Sequence, residues 1–337
     1  MKRIARRRWL PPLLALLCLA SCRSSHRPTK TNPPLSRHTA ERVALGARFR
    51  LTFYAPDAGS AGAAAAAALG RLSEVDKVLN LERPDSEISA LNRAGEGVPT
   101  KVSDDLFAVL QHGLRLAEAT RGAYDPTSGP YTELWRRTAA AGRAPTVAEL
   151  EETKLRVGWD KLRLNAIERT ATFTVPGMRI DPAGLARGYA VDQVFRNLRA
   201  HGCDRAKVDA GNVILVGTPP PGRQGWPTVI HGATGPKGTP SMPLTNMAAA
   251  FSSNMRFPAS LGMPPPARLI DPVSGRALDG RVPAAVLARS GATAESVAAA
   301  AVVLGPTGVQ TLAAAEGGAR IRFGTGPVAG SSRRKAR

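Results

Sequence analysis

One stretch limits what this chain can fold into more than any other: Arg179-Ile-Asp-Pro-Ala-Gly-Leu-Ala-Arg-Gly-Tyr-Ala-Val-Asp192. The apolar run 172–180 leads into it as a strand and places Asp181 where that strand stops. Ala183 and Gly184 follow, and a helix then runs through Val194, Phe195 and Leu198 to a stop signal at Gly202. Small residues at a helix start let a ligand approach free backbone N–H groups, and the helix dipole makes that end a seat for a phosphate. Arg187, one turn in, adds a full positive charge. In the plainer alternative Asp181 only caps the helix and Arg187 is a solvated side chain.

The rest of the chain supplies elements around that stretch. At 337 residues it can bury a full core, in one large domain or two lobes. Alternation from Arg42 to Tyr54 predicts a strand pair about Gly46, and residues 60–80 read as an Ala-rich helix. A Pro-Asp turn at 84–85 leads into a short helix, and Ser103 caps another that ends near Gly122. A polar loop covers 122–130, and Thr146 opens a helix reaching Leu155. Residues 206–216 read as a strand broken at Gly211, with further short strands over 226–231, 241–251 and 282–288. Residues 268–275 form a strand and turn. Thr293 caps a helix over 294–304 that Gly305 stops, and a helix at 309–316 and a strand at 319–323 follow. No repeat occurs at a fixed period, and the order lacks a strict strand–helix–strand rhythm. The fold class is therefore α+β.

The formal net charge of +20 suggests a nucleic-acid partner until it is located. Residues 1–40 hold nine Lys or Arg and no acid, and the last five residues hold four more. Without those thirteen the body carries about +7, and it has no aromatic-rich basic strands on which bases could stack. Nucleic acid is not an expected partner. Residues 1–22 form a targeting segment: a basic head, then an apolar run of fewer than the ~20 residues a membrane span needs. The run closes on Leu19-Ala20-Ser21-Cys22, which resembles a bacterial lipoprotein signal, so that cleavage before Cys22 and lipid on its thiol are expected. An ordinary secretory peptide is the alternative. With Cys18 removed and Cys22 acylated, Cys203 alone remains, and it reads as a packing residue. Residues 23–40 read as a flexible tether, 41–325 as the folded domain and 326–337 as a basic disordered tail.

Five segments together resemble the ApbE family of flavin transferases, bacterial envelope proteins that move FMN from FAD onto a target protein. They are Pro84-Asp-Ser-Glu-Ile-Ser-Ala-Leu-Asn92, Gly122-Ala-Tyr-Asp-Pro-Thr127, Asp181 to Asp192, Ile270-Asp-Pro-Val-Ser-Gly275 and Ala294 to Gly305. The resemblance implies a T-fold-like, two-lobed fold with FAD in a cleft. It implies FAD contacts at Ala123, Tyr124, Asp125, Asp181, Arg187 and Arg268, with Asp181 and Glu295 catalytic. It also implies a magnesium ion on the pyrophosphate, held by the Gly184 carbonyl and by the positions of Glu295 and Ala299. An acceptor threonine on a flavoprotein would attack the FMN phosphorus, and AMP would leave. The sequence departs from the family pattern at that metal: Glu295 stands for an Asp, Ala299 for a Thr, Arg187 for a Lys and Arg268 for a His. A periplasmic FAD-binding lipoprotein that has lost catalysis is the alternative of the same fold, and an envelope tether without flavin is a third reading.

Overall fold

The computed structural model describes residues 34–229, 241–252, 269–278, 282–309, 312 and 317–324. The targeting segment with Cys22, residues 23–33 of the tether, Arg268, most of the helix expected over 309–316 and the basic tail lie outside the described residues. Those from Leu35 onward belong to one compact unit.

The opening pair forms as expected. Strands β1 (Ser36–Ala44) and β2 (Ala47–Ala55) are antiparallel, with Ala44 opposite Ala47 across the turn Leu45-Gly46. Strand β1 reaches back into the segment expected to be tether: Ser36 already pairs opposite Ala55. It is an edge strand with most side chains exposed, so its sequence carries no apolar alternation that would announce it. In β2 the alternation is plain, because Phe49, Leu51 and Phe53 are all buried on one face.

Helix α1 (Ala58–Leu79) follows, its start capped by Asp57, whose carboxylate accepts the Ser60 N–H at 2.8 Å. Its buried stripe of Ala61, Ala64, Ala68, Leu72, Val75 and Leu79 is narrow enough to lie close on α6 (Ala186–Ala200). Next come α2 (Glu87–Leu91), β3 (Thr100–Lys101) and α3 (Asp104–Ala119), the last capped by Ser103 as expected. Helix α4 (Gly129–Ala140) was not expected. It starts on Gly129-Pro130 with no side-chain cap bond, so its entry carries little helix signal beyond the proline. Helix α5 (Val147–Lys154) opens on a capping box of Thr146 and Glu149.

Strands β4 (Leu162–Asn165) and β5 (Thr170–Phe173) join β3 in a small sheet of order β3-β5-β4. The strand expected to run to Ile180 ends at Phe173. Pro176 and Gly177 interrupt it, and Arg179 makes only an isolated parallel bridge to Ser128.

Strands β6 (Ala206–Asp209), β7 (Val213–Val216), β10 (Met247–Ser252), β11 (Ala284–Ala288) and β12 (Arg320–Phe323) extend the first pair into a seven-stranded sheet. Its order is β1-β2-β6-β7-β10-β11-β12, antiparallel throughout. Helices α1, α6 and α7 (Gly291–Gly308) contribute to the main core on one face. The hairpin of β8 (Trp226–Val229) and β9 (Ser241–Leu244) covers Ile214, Val216 and Ala249 on the other. The N-cap of α7 is Ser290, not Thr293: the Ser290 hydroxyl accepts the Thr293 N–H at 3.1 Å. Gly305, at φ 70°, interrupts this helix where a stop was expected. The mixed architecture agrees with the α+β expectation. Cys203 is a buried free thiol, consistent with a packing role. No helix among the described residues is long and apolar enough to cross a membrane.

Candidate functional site

Helices α6 and α7 cross backbone to backbone at Gly188 and Gly291. A methyl group on Gly188 would lie 2.2 Å from the Gly291 carbonyl oxygen, and one on Gly291 would lie 2.6 Å from that of Gly188. One turn further along α6, the Asp192 carboxylate accepts the N–H groups of Gly291 at 2.6 Å and Ala292 at 3.0 Å. It therefore holds the N-terminus of α7, favourably placed in that helix's dipole. Burial pushes the Asp192 carboxyl up to about 6, against the downward pull of the two N–H groups.

This crossing sets Glu295, one turn into α7, against the start of α6. Its Oε2 accepts the Gly188 N–H at 2.8 Å, and its Oε1 accepts Arg187 Nε and Asn212 Nδ2, both at 3.2 Å. The Glu295 side chain is 2% exposed and that of Arg187 25%. Two expectations are corrected here. The helix start is not an empty anion seat, because Glu295 reaches the Gly188 N–H. Nor is Arg187 merely solvated, since it is paired with Glu295.

Asp181 does not cap the helix, which begins at Ala186 after a Leu185 cap that makes no side-chain bond. Its Oδ1 accepts the Ala183 N–H at 2.9 Å and its Oδ2 the Thr132 hydroxyl at 2.7 Å. Asp181 thus shapes the loop that carries Gly184. At φ +77° Gly184 adopts a backbone that side-chain-bearing residues rarely take. A Cβ there would lie 2.9 Å from the Ala299 methyl and 3.6 Å from the Tyr124 ring. Those three residues meet, which brings two positions expected at the magnesium beside one expected at FAD.

Tyr124 is 5% exposed, and its buried hydroxyl has no hydrogen-bond partner among the described residues. Burial first, and then the charges of Glu295, Asp181 and Asp125, hold its pKa well above the ordinary tyrosine value. The Asn212 side-chain oxygen is likewise buried and unpartnered. Asn212 bonds Glu295 through its nitrogen, and the Glu295 charge is felt at the Tyr124 hydroxyl, so both unpartnered atoms belong to the surroundings of this carboxylate. Ala123 is buried beside Tyr124 in sequence. Asp125 turns its oxygens to the Thr127 N–H and hydroxyl and to the Trp159 N–H. It holds this loop together, and burial raises its pKa.

Several residues that matter here carried little signal. Asn212 follows Gly211 in the turn between β6 and β7, where turn chemistry alone accounts for it. Asn92 ends the Pro84–Asn92 segment and clamps Ile180 from both sides, accepting its N–H at 2.6 Å and donating to its carbonyl at 2.9 Å. Asp192 had a place in the central stretch but no role. The spacing Gly188 to Asp192, one helical turn, could have suggested a close helix crossing with its own cap.

Known proteins share both the sequence pattern and this architecture. The chain is 26% identical to FAD:protein FMN transferase of Vibrio cholerae over 318 residues, 89% of this chain and 88% of that protein. It is 28% identical to the protein of that name from Haemophilus influenzae over 243 residues, 69% of this chain and 70% of the relative. A third relative of that name, from Treponema pallidum, is 26% identical over 213 residues, which span 61% of this chain but 57% of that protein. Among solved structures, flavin transferase ApbE from Vibrio cholerae superposes with a TM-score of 0.71 at 23% identity, covering 86% of this chain and 94% of that one. The ApbE protein of Thermotoga maritima gives 0.73 at 22% identity over the same shares. The ApbE family model matches residues 45–323, which include the loop of Tyr124, the crossing at Gly188 and the helix of Glu295. By that match over most of its length, the chain belongs to the ApbE family.

Proposed function

We propose that this protein transfers the FMN part of FAD to a threonine hydroxyl of an acceptor flavoprotein, releasing AMP. The observation that carries the reading is the unpartnered Tyr124 hydroxyl beside the Arg187–Glu295 pair, at the junction of loop, α6 and α7. The guanidinium and the Tyr124 hydroxyl are both donors and suit the acceptor oxygens of a pyrophosphate. In the step itself, the threonine oxygen forms a bond to the FMN phosphorus while the bond to the bridging oxygen breaks, and the electron pair leaves on AMP. The hydroxyl proton passes to a carboxylate. Asp181 is the better placed for this, being partly exposed and accepting one neutral hydrogen bond on each oxygen, whereas Glu295 is buried and accepts three, one of them from a guanidinium. Catalysis of this kind is mostly positioning and charge stabilisation. The relatives described above are named as transferases, which supports this reading; no observation favours the flavin binder that has lost catalysis.

Magnesium, expected from the resemblance, is a weaker fit. A hard cation of this size wants near-octahedral oxygen ligands. Ala299 offers a methyl group, and Glu295 already accepts three hydrogen bonds, one of them from a guanidinium. Among the described residues no group of three or more His, Cys, Asp or Glu side chains could hold a metal ion. Lipid attachment at Cys22 and residence at the membrane, facing the periplasm, complete the proposal and rest on the sequence of residues 1–22.

The test is to incubate the protein with FAD and a carrier bearing an acceptor threonine, then separate the carrier under denaturing conditions. Flavin fluorescence that stays with the carrier supports transfer. Intact FAD with an unlabelled carrier, with or without magnesium, rejects it.

A further inference from the structure

We infer that in this chain Arg187, oriented by Glu295, is the cation that receives the FAD pyrophosphate, and that FAD binding needs no divalent metal. The inference rests on the flavin-transfer reading above and concerns which charge serves it. Two of the three positions at which the resemblance implies a metal ligand argue the same way. The residue at 299 has no donor atom, and its methyl fills the space against Gly184, where a Cβ would lie only 2.9 Å away. The carboxylate at 295 carries one methylene more than the aspartate it stands for, and it uses that reach to accept the Gly188 N–H at 2.8 Å. Its other oxygen is shared by Arg187 Nε and Asn212 Nδ2. A divalent ion at that oxygen would sit beside a guanidinium, with like charges adjacent in a buried place. The Gly184 carbonyl is left as a lone backbone ligand.

The arginine supplies directed donors in place of a metal's charge, its own charge being balanced by Glu295. Holding Nε against Glu295 fixes the plane of the guanidinium and leaves its two terminal nitrogens without a hydrogen bond among the described residues. Those two form the fork that binds phosphate oxygens in pairs. The side chain is 25% exposed, so it reaches from the buried carboxylate toward solvent. The nearby Tyr124 hydroxyl, a donor, remains unpartnered and buried. In this arrangement Glu295 acts as a positioning residue for Arg187.

The test is an equilibrium titration of FAD, read by flavin fluorescence, on the full chain after treatment with EDTA, then repeated with magnesium added. The wild type is expected to bind FAD in EDTA, with an affinity that magnesium changes by less than about threefold. Arg187→Ala is expected to weaken binding about 10- to 100-fold, as loss of charged hydrogen bonds does, and Arg187→Lys to restore part of it. Should Arg187→Ala fail to fold, Arg187→Gln serves instead, since it keeps a donor for Glu295 without the charge. Binding that appears only when magnesium is present overturns the inference, and so does an Arg187 variant that binds FAD as tightly as the wild type. A wild type that binds no FAD under either condition overturns the transferase reading along with it.

Discussion

The crossing at Gly188 gives the sharpest mutational expectation. In Gly188→Ala the new methyl would stand 2.2 Å from the Gly291 carbonyl oxygen and 2.5 Å from its carbon, both backbone atoms on α7 that no rotamer change can move. Ordinary contact requires the two helices to part by roughly 1 Å, and overpacking of this kind costs about 1–3 kcal/mol. Parting them also stretches the 2.8 Å bond from the Gly188 N–H to Glu295, a charged hydrogen bond of about 1.5–3 kcal/mol. Alanine returns about 1 kcal/mol through its better helix propensity. The net loss is about 1.5–5 kcal/mol, which for a domain of this size lowers the melting temperature by roughly 2–8 °C. A shift of ~1 Å at the site also lowers the transfer rate about 100-fold. Thermal unfolding and the transfer assay read the two effects separately. A Gly188→Ala protein that melts and transfers like the wild type refutes the crossing as described.

Other expectations follow from single observations. Gly62 lies within α1 with nothing within 4 Å of a built Cβ, so Gly62→Ala raises stability by about 0.5–1 kcal/mol, opposite in sign to Gly188→Ala, in the same thermal melt. Asp192→Ala leaves the Gly291 and Ala292 N–H groups without an acceptor and costs about 2–4 kcal/mol by denaturant unfolding; an unchanged midpoint contradicts the cap. The pH dependence separates two buried groups. Burial lowers the His112 pKa to about 4, so between roughly pH 6.5 and 4 the unfolded chain binds a proton that the folded chain refuses. Stability from this group is present above that window and falls by up to about 3 kcal/mol as the pH drops through it. Asp192, raised to about 6, works the other way, its contribution falling as pH rises from about 4 to 6. Relative to the wild type, His112→Gln therefore gains stability on acidification; unfolding curves that stay parallel between pH 7 and 4.5 contradict this.

The sequence disclosed those elements whose cause is local. Ser103 and Thr146 announce their helices because a cap is a short-range bond, and β2 shows itself through Phe49, Leu51 and Phe53 because one of its faces is buried. Strand β1 was partly missed because an edge strand with exposed side chains needs no apolar period. Helix α4 was missed because its start depends on the Ser128–Arg179 bridge and on the turn at Asp125 rather than on a cap. At the site, Tyr124, Gly184 and Ala299 each lie in a matched motif, which is local, while their meeting is a tertiary contact. The occupation of the helix start by Glu295 could not be read in the same way. It depends on how close two helices distant in sequence approach, and that is set by a pair of glycines and the Asp192 cap.

The most direct measurement is a structure of the protein with FAD bound. The expected result places the pyrophosphate within hydrogen-bond reach of the Arg187 terminal nitrogens and beside the Tyr124 hydroxyl, with Glu295 still on the Gly188 N–H. A dinucleotide bound elsewhere on the fold, with the Tyr124 hydroxyl and Arg187 left as they stand, would contradict the account.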